Sequence, residues 1–155
     1  MKYQIAENIS TELTELKEDE RPIIMIVDDE QGFLNELEKL LSDDYRVKTA
    51  QSAEEALVKL HAMENPEKIS LIICDQRMSG KSGVELFKEL ANKPILADTV
   101  RIILTGYDDK EVMRKGINDA HIYKFVLKPY DPDELLQVIR DAVESFYLQE
   151  ARQIL

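Results

Sequence analysis

This sequence predicts an α/β fold: a doubly wound, five-stranded parallel sheet with helices on both faces. Two observations carry that prediction. Short branched-aliphatic runs alternate with segments of helical periodicity, and the runs are apolar at nearly every position rather than at every second one. Continuously apolar strands are buried on both faces, and strands that alternate with helices form parallel sheets joined by crossover helices. A third observation gives the sheet a chemical edge. Asp28 and Asp29 follow residues 23–27 (IIMIV), Asp75 follows 71–74 (LIIC), Thr105-Gly106 follows 101–104 (RIIL), and Lys128-Pro129 follows 125–127 (FVL). In open sheets of this kind, ligands bind outside the carboxyl ends of the strands.

The elements follow in order. Residues 1–21 read as an N-terminal helical appendage. Ile5, Ile9, Leu13 and Leu16 form its apolar stripe, and Glu12, Glu15, Glu18, Asp19 and Glu20 its polar face. It is either a surface helix docked on its own chain or a dimer or recognition contact. Arg21-Pro22 breaks that pattern before the first strand. Phe33, Leu34, Leu37, Leu40 and Leu41 make an amphipathic helix, and residues 45–49 a second strand. Ser52 with Glu55 three residues later reads as a capping box for a helix carrying Ala56, Leu57 and Leu60, ended by Asn65-Pro66. Val84, Leu86, Phe87 and Leu90 lie on a third helix, and Val112, Met113, Gly116 and Ile117 on a weak fourth. Asp131-Pro132 places an N-cap and a first-turn proline at the start of the last helix. Its apolar positions (Leu135, Leu136, Ile139, Ala142, Val143, Phe146) run on into Tyr147, Leu148, Ala151, Ile154 and Leu155. Residues 149–155 therefore read as an extension of the main domain, 22–148. The surplus apolar face is expected to pair with a second copy, making a homodimer, or else with the stripe at Ile5 to Leu16.

Composition narrows the function. The chain has 155 residues, 44% hydrophobic and 33% charged, which suits one soluble globular domain with short appendages. A net charge of −11 argues against direct nucleic-acid contact, which needs clustered Lys and Arg, though not against a DNA-binding partner. Cys74 is the only cysteine, so neither an intrachain disulfide nor a cysteine-based zinc site is possible. At the end of an apolar run it reads as a core residue. No stretch approaches the ~20 apolar residues that span a bilayer, and the first residues lack a signal-peptide core, so the cytoplasm is the expected location.

The strand ends carry the chemistry. Adjacent carboxylates such as Asp28 and Asp29 repel one another unless a cation neutralises them, and magnesium is a hard ion suited to oxygen ligands. One of the pair is equally suited to capping the next helix. Asp75, at the end of the central strand, has the chemistry of a nucleophile toward phosphorus. Thr105 offers a hydrogen bond and Lys128 a positive charge to phosphoryl oxygens, and Lys128 pairs with Asp75 when no phosphate is present. His61 and His121 are single, form no metal-ligand spacing, and carry no assigned role.

These pieces resemble a family. VDDE (27–30), CDQRMSGKSGVEL (74–86), ILTGY (103–107) and FVLKPYDPDEL (125–135) are together similar to the receiver domain of bacterial two-component response regulators, over about residues 22–145. The resemblance implies a flavodoxin-like sheet of order 2-1-3-4-5. It implies that Asp75 accepts a phosphoryl group from a sensor histidine kinase or phosphotransfer protein, with Mg2+ as cofactor. Asp29 would be a direct metal ligand, Asp28 a ligand through water, and the Arg77 main-chain carbonyl a further ligand. Thr105 and Phe125 would be the switch pair. Arg77 and Tyr107 occupy positions that border the path of attacking water in this family. Ser79 stands where the family usually has proline, which implies a looser loop but leaves the ligands intact.

The resemblance implies a signalling switch rather than a turnover enzyme. A haloacid-dehalogenase-like phosphohydrolase needs a second Asp two positions after the first, and Arg77 sits there. An interaction module that is never phosphorylated is disfavoured because every phosphoryl-handling position is filled. These 155 residues are expected to carry no output domain of their own, so the output would be a fused domain or a separate protein.

Overall fold

The structure, a computed structural model, describes residues 17, 20–106, 111, 113–114 and 120–154. The N-terminal stripe at Ile5, Ile9, Leu13 and Leu16 lies outside the described residues, as do Val112, Gly116 and Ile117 of the fourth expected helix. Glu111, Met113 and Arg114 are helical.

Five strands form one parallel sheet: β1 (Ile23–Val27), β2 (Arg46–Ala50), β3 (Ile69–Asp75), β4 (Val100–Thr105) and β5 (Lys124–Leu127). Their order is β2-β1-β3-β4-β5, as expected. Every residue of β1, β3 and β4 is buried, whereas the edge strands β2 and β5 are partly exposed. The sequence shows part of this division: β1 is purely apolar and the edge strands contain Lys and Arg, but the buried β4 also carries Arg101, whose guanidinium donates to the Leu96 carbonyl at 2.9 Å.

Four described helices cover the faces: α1 (Gln31–Leu41), α2 (Ala53–Ala62), α3 (Gly83–Ala91) and α4 (Pro132–Ile154). On one face Met25, Val27, Ile72, Cys74 and Ile103 pack with Ala53, Ala56 and Leu60 of α2 and with Leu86, Phe87 and Leu90 of α3. On the other, Ile24, Ile26, Leu71, Ile73, Ile102 and Leu104 pack with Leu34, Leu37 and Leu41 of α1 and with Leu135, Ile139, Ala142, Val143 and Phe146 of α4. Alternate strand residues thus feed two cores, which is what crossover helices on both sides require.

Several boundaries move. β2 starts at Arg46 rather than Tyr45, because the Tyr45 amide still closes the helix-end turn on the Leu41 carbonyl (2.9 Å). The Arg46 amide is the first to turn across, to the Pro22 carbonyl (2.8 Å). β3 is longer than its apolar run and includes Ser70 and Asp75. Ser70 is tolerated because its hydroxyl donates to the Ile23 carbonyl at 2.9 Å. Leu40 is 42% exposed, so the buried stripe of α1 is narrower than its apolar residues suggest. α2 ends at Ala62, before Asn65-Pro66, and Pro66 opens a short 3-10 turn instead. Ser52 caps α2 by accepting from the Glu55 amide (3.0 Å), but the Glu55 carboxylate reaches back to the Gln51 amide, one residue beyond a standard box. Asp131 accepts from the Asp133 amide at 2.9 Å, as a cap should.

Burial separates two leucines of α1. Leu37→Ala should lower unfolding free energy by about 2–5 kcal/mol, the usual cost of a core cavity. Leu40→Ala should stay within about 0.5 kcal/mol. Denaturant titration of both variants checks this; equal losses would contradict the assigned packing face.

Candidate functional site

Parallel register determines which residues meet. Val27 lies beside Cys74, Asp75 beside Leu104, and Thr105 beside Leu127. The residues that follow β1 and β5, together with the last residues of β3 and β4, therefore emerge at one edge. There Asp28, Asp29 and Asp75 each offer a carboxylate oxygen, and these atoms lie within 4.8 Å of one another. Lys128 Nζ sits 2.9 Å from Asp75 Oδ1 and 3.7 Å from Asp28 Oδ2.

Main-chain bonds hold these residues in place. The Asp28 amide donates to the Ala50 carbonyl (3.0 Å), and the Lys128 amide donates to the Thr105 carbonyl (2.8 Å). Asp28 Oδ1 accepts from the Glu30 amide at 2.9 Å, so part of its role is to shape the turn into α1. Neither Asp28 nor Asp29 is the N-cap of α1; that position belongs to Glu30, whose side chain makes no capping bond. Lys128 Nζ also lies 5.1 Å from the centre of the Phe33 ring, and Phe33 meets Tyr130 edge to face at 6.0 Å. The aromatic pair walls one side of the ammonium and favours its charge.

Burial dominates the electrostatics. It pushes the Asp75 carboxyl above its ordinary range, against the hydrogen bond and charge of Lys128; the charge of Asp29 pushes it further up. Asp28 is raised chiefly by burial as well; the Glu30 amide opposes this and the Asp75 charge adds to it. Burial pulls Lys128 down, but its hydrogen bond to Asp75 and the surrounding carboxylates outweigh that and leave it raised. The same desolvation drives the Cys74 thiol well above its usual range, which suits an inert core residue.

A divalent cation fits this group. Asp28 Oδ2 is buried and has no hydrogen-bond partner, since Lys128 stands too far away for one. Lys128 reaches two of the three carboxylates, Asp75 and Asp28, and leaves the buried Asp28 oxygen without a hydrogen bond. Hard, oxygen-only donors are the set that magnesium and calcium take.

Thr105 closes β4 at 2% exposure, and Phe125 lies half-buried on β5 against the first core cluster. Arg77 is exposed at the start of the loop after β3, while Tyr107 lies outside the described residues. Ser79 in that loop directs its amide toward Asp29 Oδ2 at 3.4 Å. His61, at the end of α2, lines a groove of about 1120 Å3 between α2 and α3, and His121 precedes β5, so neither joins the carboxylates.

Three residues near the site had no functional reading in the sequence. Phe33 had registered only as a packing position of α1. Glu54, which accepts from the Lys81 amide at 3.4 Å, is 27 residues away along the chain and gives no local signal. Gln76, next to Asp75, is 7% exposed and bonded to the start of α3.

Known proteins share this arrangement. The family described as response regulator receiver domain matches residues 24–140. The hydrogenase transcriptional regulatory protein HoxA of Cupriavidus necator is 40% identical over 131 residues, covering 84% of this chain and 26% of that protein. The transcriptional regulatory protein GlrR of Escherichia coli K12 is 36% identical over 127 residues, covering 79% and 26%. The chain thus spans about a quarter of the length of these relatives. Among solved structures, the signal receiver domain of an HD domain-containing protein from Pseudomonas fluorescens Pf-5 superposes with a TM-score of 0.74 at 33% identity, covering 82% of this chain and 98% of that one. An adenylate cyclase structure from Rhodopirellula baltica gives a TM-score of 0.77 at 27% identity, covering 86% and 95%. With the family match over most of the chain and the acidic edge in place, this protein belongs to the response regulator receiver domain family of two-component systems.

Proposed function

We propose that this chain is a phospho-accepting switch in which Asp75 takes a phosphoryl group from a phosphohistidine of a sensor kinase or phosphotransfer protein. One observation carries the reading: the 2.9 Å pair between Asp75 Oδ1 and Lys128 Nζ, set among three carboxylates at one sheet edge. An Asp75 oxygen forms the bond to phosphorus as the phosphorus–nitrogen bond of the donor breaks, and the imidazole nitrogen leaves with the electron pair. Asp28, Asp29, Asp75 and the Arg77 main-chain carbonyl would hold magnesium, which would supply positive charge to offset that of the phosphoryl oxygens. Lys128 exchanges its contact with Asp75 for one to a phosphoryl oxygen. Thr105 donates its hydroxyl to another, and Phe125 moves inward behind it. Arg77, at a position that borders the approach of water in this family, slows loss of the phosphoryl group.

The output is a fused domain or a separate partner, in keeping with the transcriptional regulators among the relatives. The proposed place of action is the cytoplasm; no described helix is long and apolar enough to cross a membrane. We divide the chain into a receiver, 22–148, an N-terminal appendage, 1–21, and a C-terminal extension, 149–155. The far turns of α4, where Leu148 borders a shallow cavity of about 350 Å3 with Ser145 and Gln149, serve self-association into a homodimer.

Three outcomes follow. Incubation with a small-molecule phosphodonor and magnesium should add one base-labile phosphoryl group, visible as a single mass increment. Asp75→Asn should remove it; label retained on that variant would sink the assignment. Sedimentation should show a dimer that Leu148→Glu dissociates, since the new charge would be buried in the contact. A wild-type monomer, with and without a phosphate mimic, would reject the homodimer.

The third concerns pH. Asp28 lies above its ordinary value of 3.8 in the folded chain, so the folded state holds that proton more tightly than the unfolded state. Its contribution is fully present below the ordinary value and is lost as pH rises through the raised one. At neutral pH without magnesium, the ionised Asp28 is therefore a cost. Asp28→Asn should raise Tm at pH 7 in chelator, with the gain shrinking as pH falls toward 4. Saturating magnesium should narrow the gap by stabilising the wild type. A lower Tm for the variant at pH 7 in chelator would show that Asp28 is net stabilising.

A further inference from the structure

The loop that leaves Asp75 is closed at its base by one residue. The Gln76 amide donates to the Leu104 carbonyl at 2.9 Å and so extends the β3–β4 ladder one step past Asp75. The chain then runs outward through residues 77–82 and returns at the start of α3. There the Gly83 amide donates to the Gln76 main-chain carbonyl at 3.2 Å, and the Val84 amide donates to the Gln76 side-chain Oε1 at 3.0 Å. Gln76 is 7% exposed and Val84 5% exposed, so the second bond is shielded from water. Gly83 allows the approach: a Cβ there would stand 2.8 Å from the Asp75 carbonyl oxygen and 2.7 Å from Ile103 Cδ1. The beginning of α3 is therefore seated on the backbone of Asp75 itself.

What the loop carries gives this closure its consequence. Arg77, whose carbonyl is assigned above to the metal, directly follows Gln76. Ser79 turns its amide toward Asp29 Oδ2. Elsewhere in the loop the Ser79 and Lys81 amides reach their partners, Asp29 and Glu54, only at 3.4 Å, while the half-exposed Lys81 ammonium meets Glu89 of α3 at 2.8 Å. The loop's one positive-φ residue, Gly80, turns beside the Glu54 carboxylate. The bond from the Val84 amide to Gln76 Oε1 is the buried one.

We propose that Gln76 is a positioning residue. Its carboxamide clamps the loop between β3 and α3, holds the Arg77 carbonyl where the metal needs it, and couples occupancy of the Asp75 site to the first turn of α3. The proposal rests on the metal-assisted reading of the site. Supporting groups around a ligand set commonly contribute 10- to 100-fold to metal affinity, because a ligand that must first be ordered binds less well. Reciprocity then requires that the metal also tighten the clamp.

Two substitutions of similar length separate clamp from charge. Gln76→Leu removes the acceptor, and Gln76→Glu keeps an acceptor oxygen at the same reach. Amide hydrogen exchange at Val84 should speed up in Gln76→Leu and stay slow in Gln76→Glu. Magnesium affinity, read by titration of the unphosphorylated chain, should fall about tenfold or more in Gln76→Leu and should not fall in Gln76→Glu. In the wild type, magnesium alone should slow exchange at Val84, a readout that survives even if Gln76→Leu fails to fold. A folded Gln76→Leu that loses Val84 protection but binds magnesium like the wild type would reduce Gln76 to a structural cap. Val84 exchange unmoved by magnesium in the wild type would overturn the coupling. A wild type that binds no magnesium would instead bring down the proposed function, a distinct result.

Discussion

Like charge held in one place is the constraint on which the rest of this structure depends. Asp28, Asp29 and Asp75 bring carboxylate oxygens within 4.8 Å of each other at the end of a buried sheet, where the Lys128 ammonium meets Asp75 and Asp28. Two like charges about 4 Å apart repel by several kcal/mol in a protein environment of intermediate dielectric. Asp29 is exposed to solvent, but Asp28 and Asp75 gain little relief from it, since both are buried and their carboxyls are pushed upward. Such a site persists only if the scaffold is stiff enough to hold it.

The sheet supplies that stiffness. β1, β3 and β4 are buried along their whole length and sandwiched between two apolar clusters, so their carboxyl ends have little freedom to spread apart. The sacrifice of local stability is confined to the edge, where the chain turns into loops. This is the usual location of strained or unsatisfied groups, here the orphaned Asp28 Oδ2.

A stiff sheet whose loops meet at the charged edge also suits a switch. Thr105 and Lys128 are joined through the main chain, by the bond from the Lys128 amide to the Thr105 carbonyl. Both follow from the β4–β5 pairing, in which Phe125 lies opposite Ile103. A change in charge at Asp75 thus meets three connected groups on neighbouring strands. On its other side it meets the loop that Gln76 closes. The two routes lead to different surfaces of the domain, one past β5 and one into α3.

The fold and most of the site were legible in the residues themselves. Runs such as IIMIV and LIIC declare buried strands because only a sheet covered on both faces hides every side chain. Alternation with helices then implies parallel strands, and parallel strands bring Asp28, Asp29, Asp75, Thr105 and Lys128 to one edge without knowledge of any distance. Local chemistry was equally plain at Ser52 and Asp131, whose caps act within a few residues. What the chain could not declare depends on contacts between distant segments. Leu40 is as apolar as Leu37, yet the position of the sheet leaves it in water. Ser70 looks like a poor strand residue until Ile23, 47 positions away, offers its carbonyl. Phe33 beside Lys128 and Glu54 beside Lys81 arise from the packing of α1 and α2 onto the strand ends. Sequence periodicity reports the environment of each residue averaged over a helix or strand face. Which particular groups meet across that face is decided only when the elements are packed.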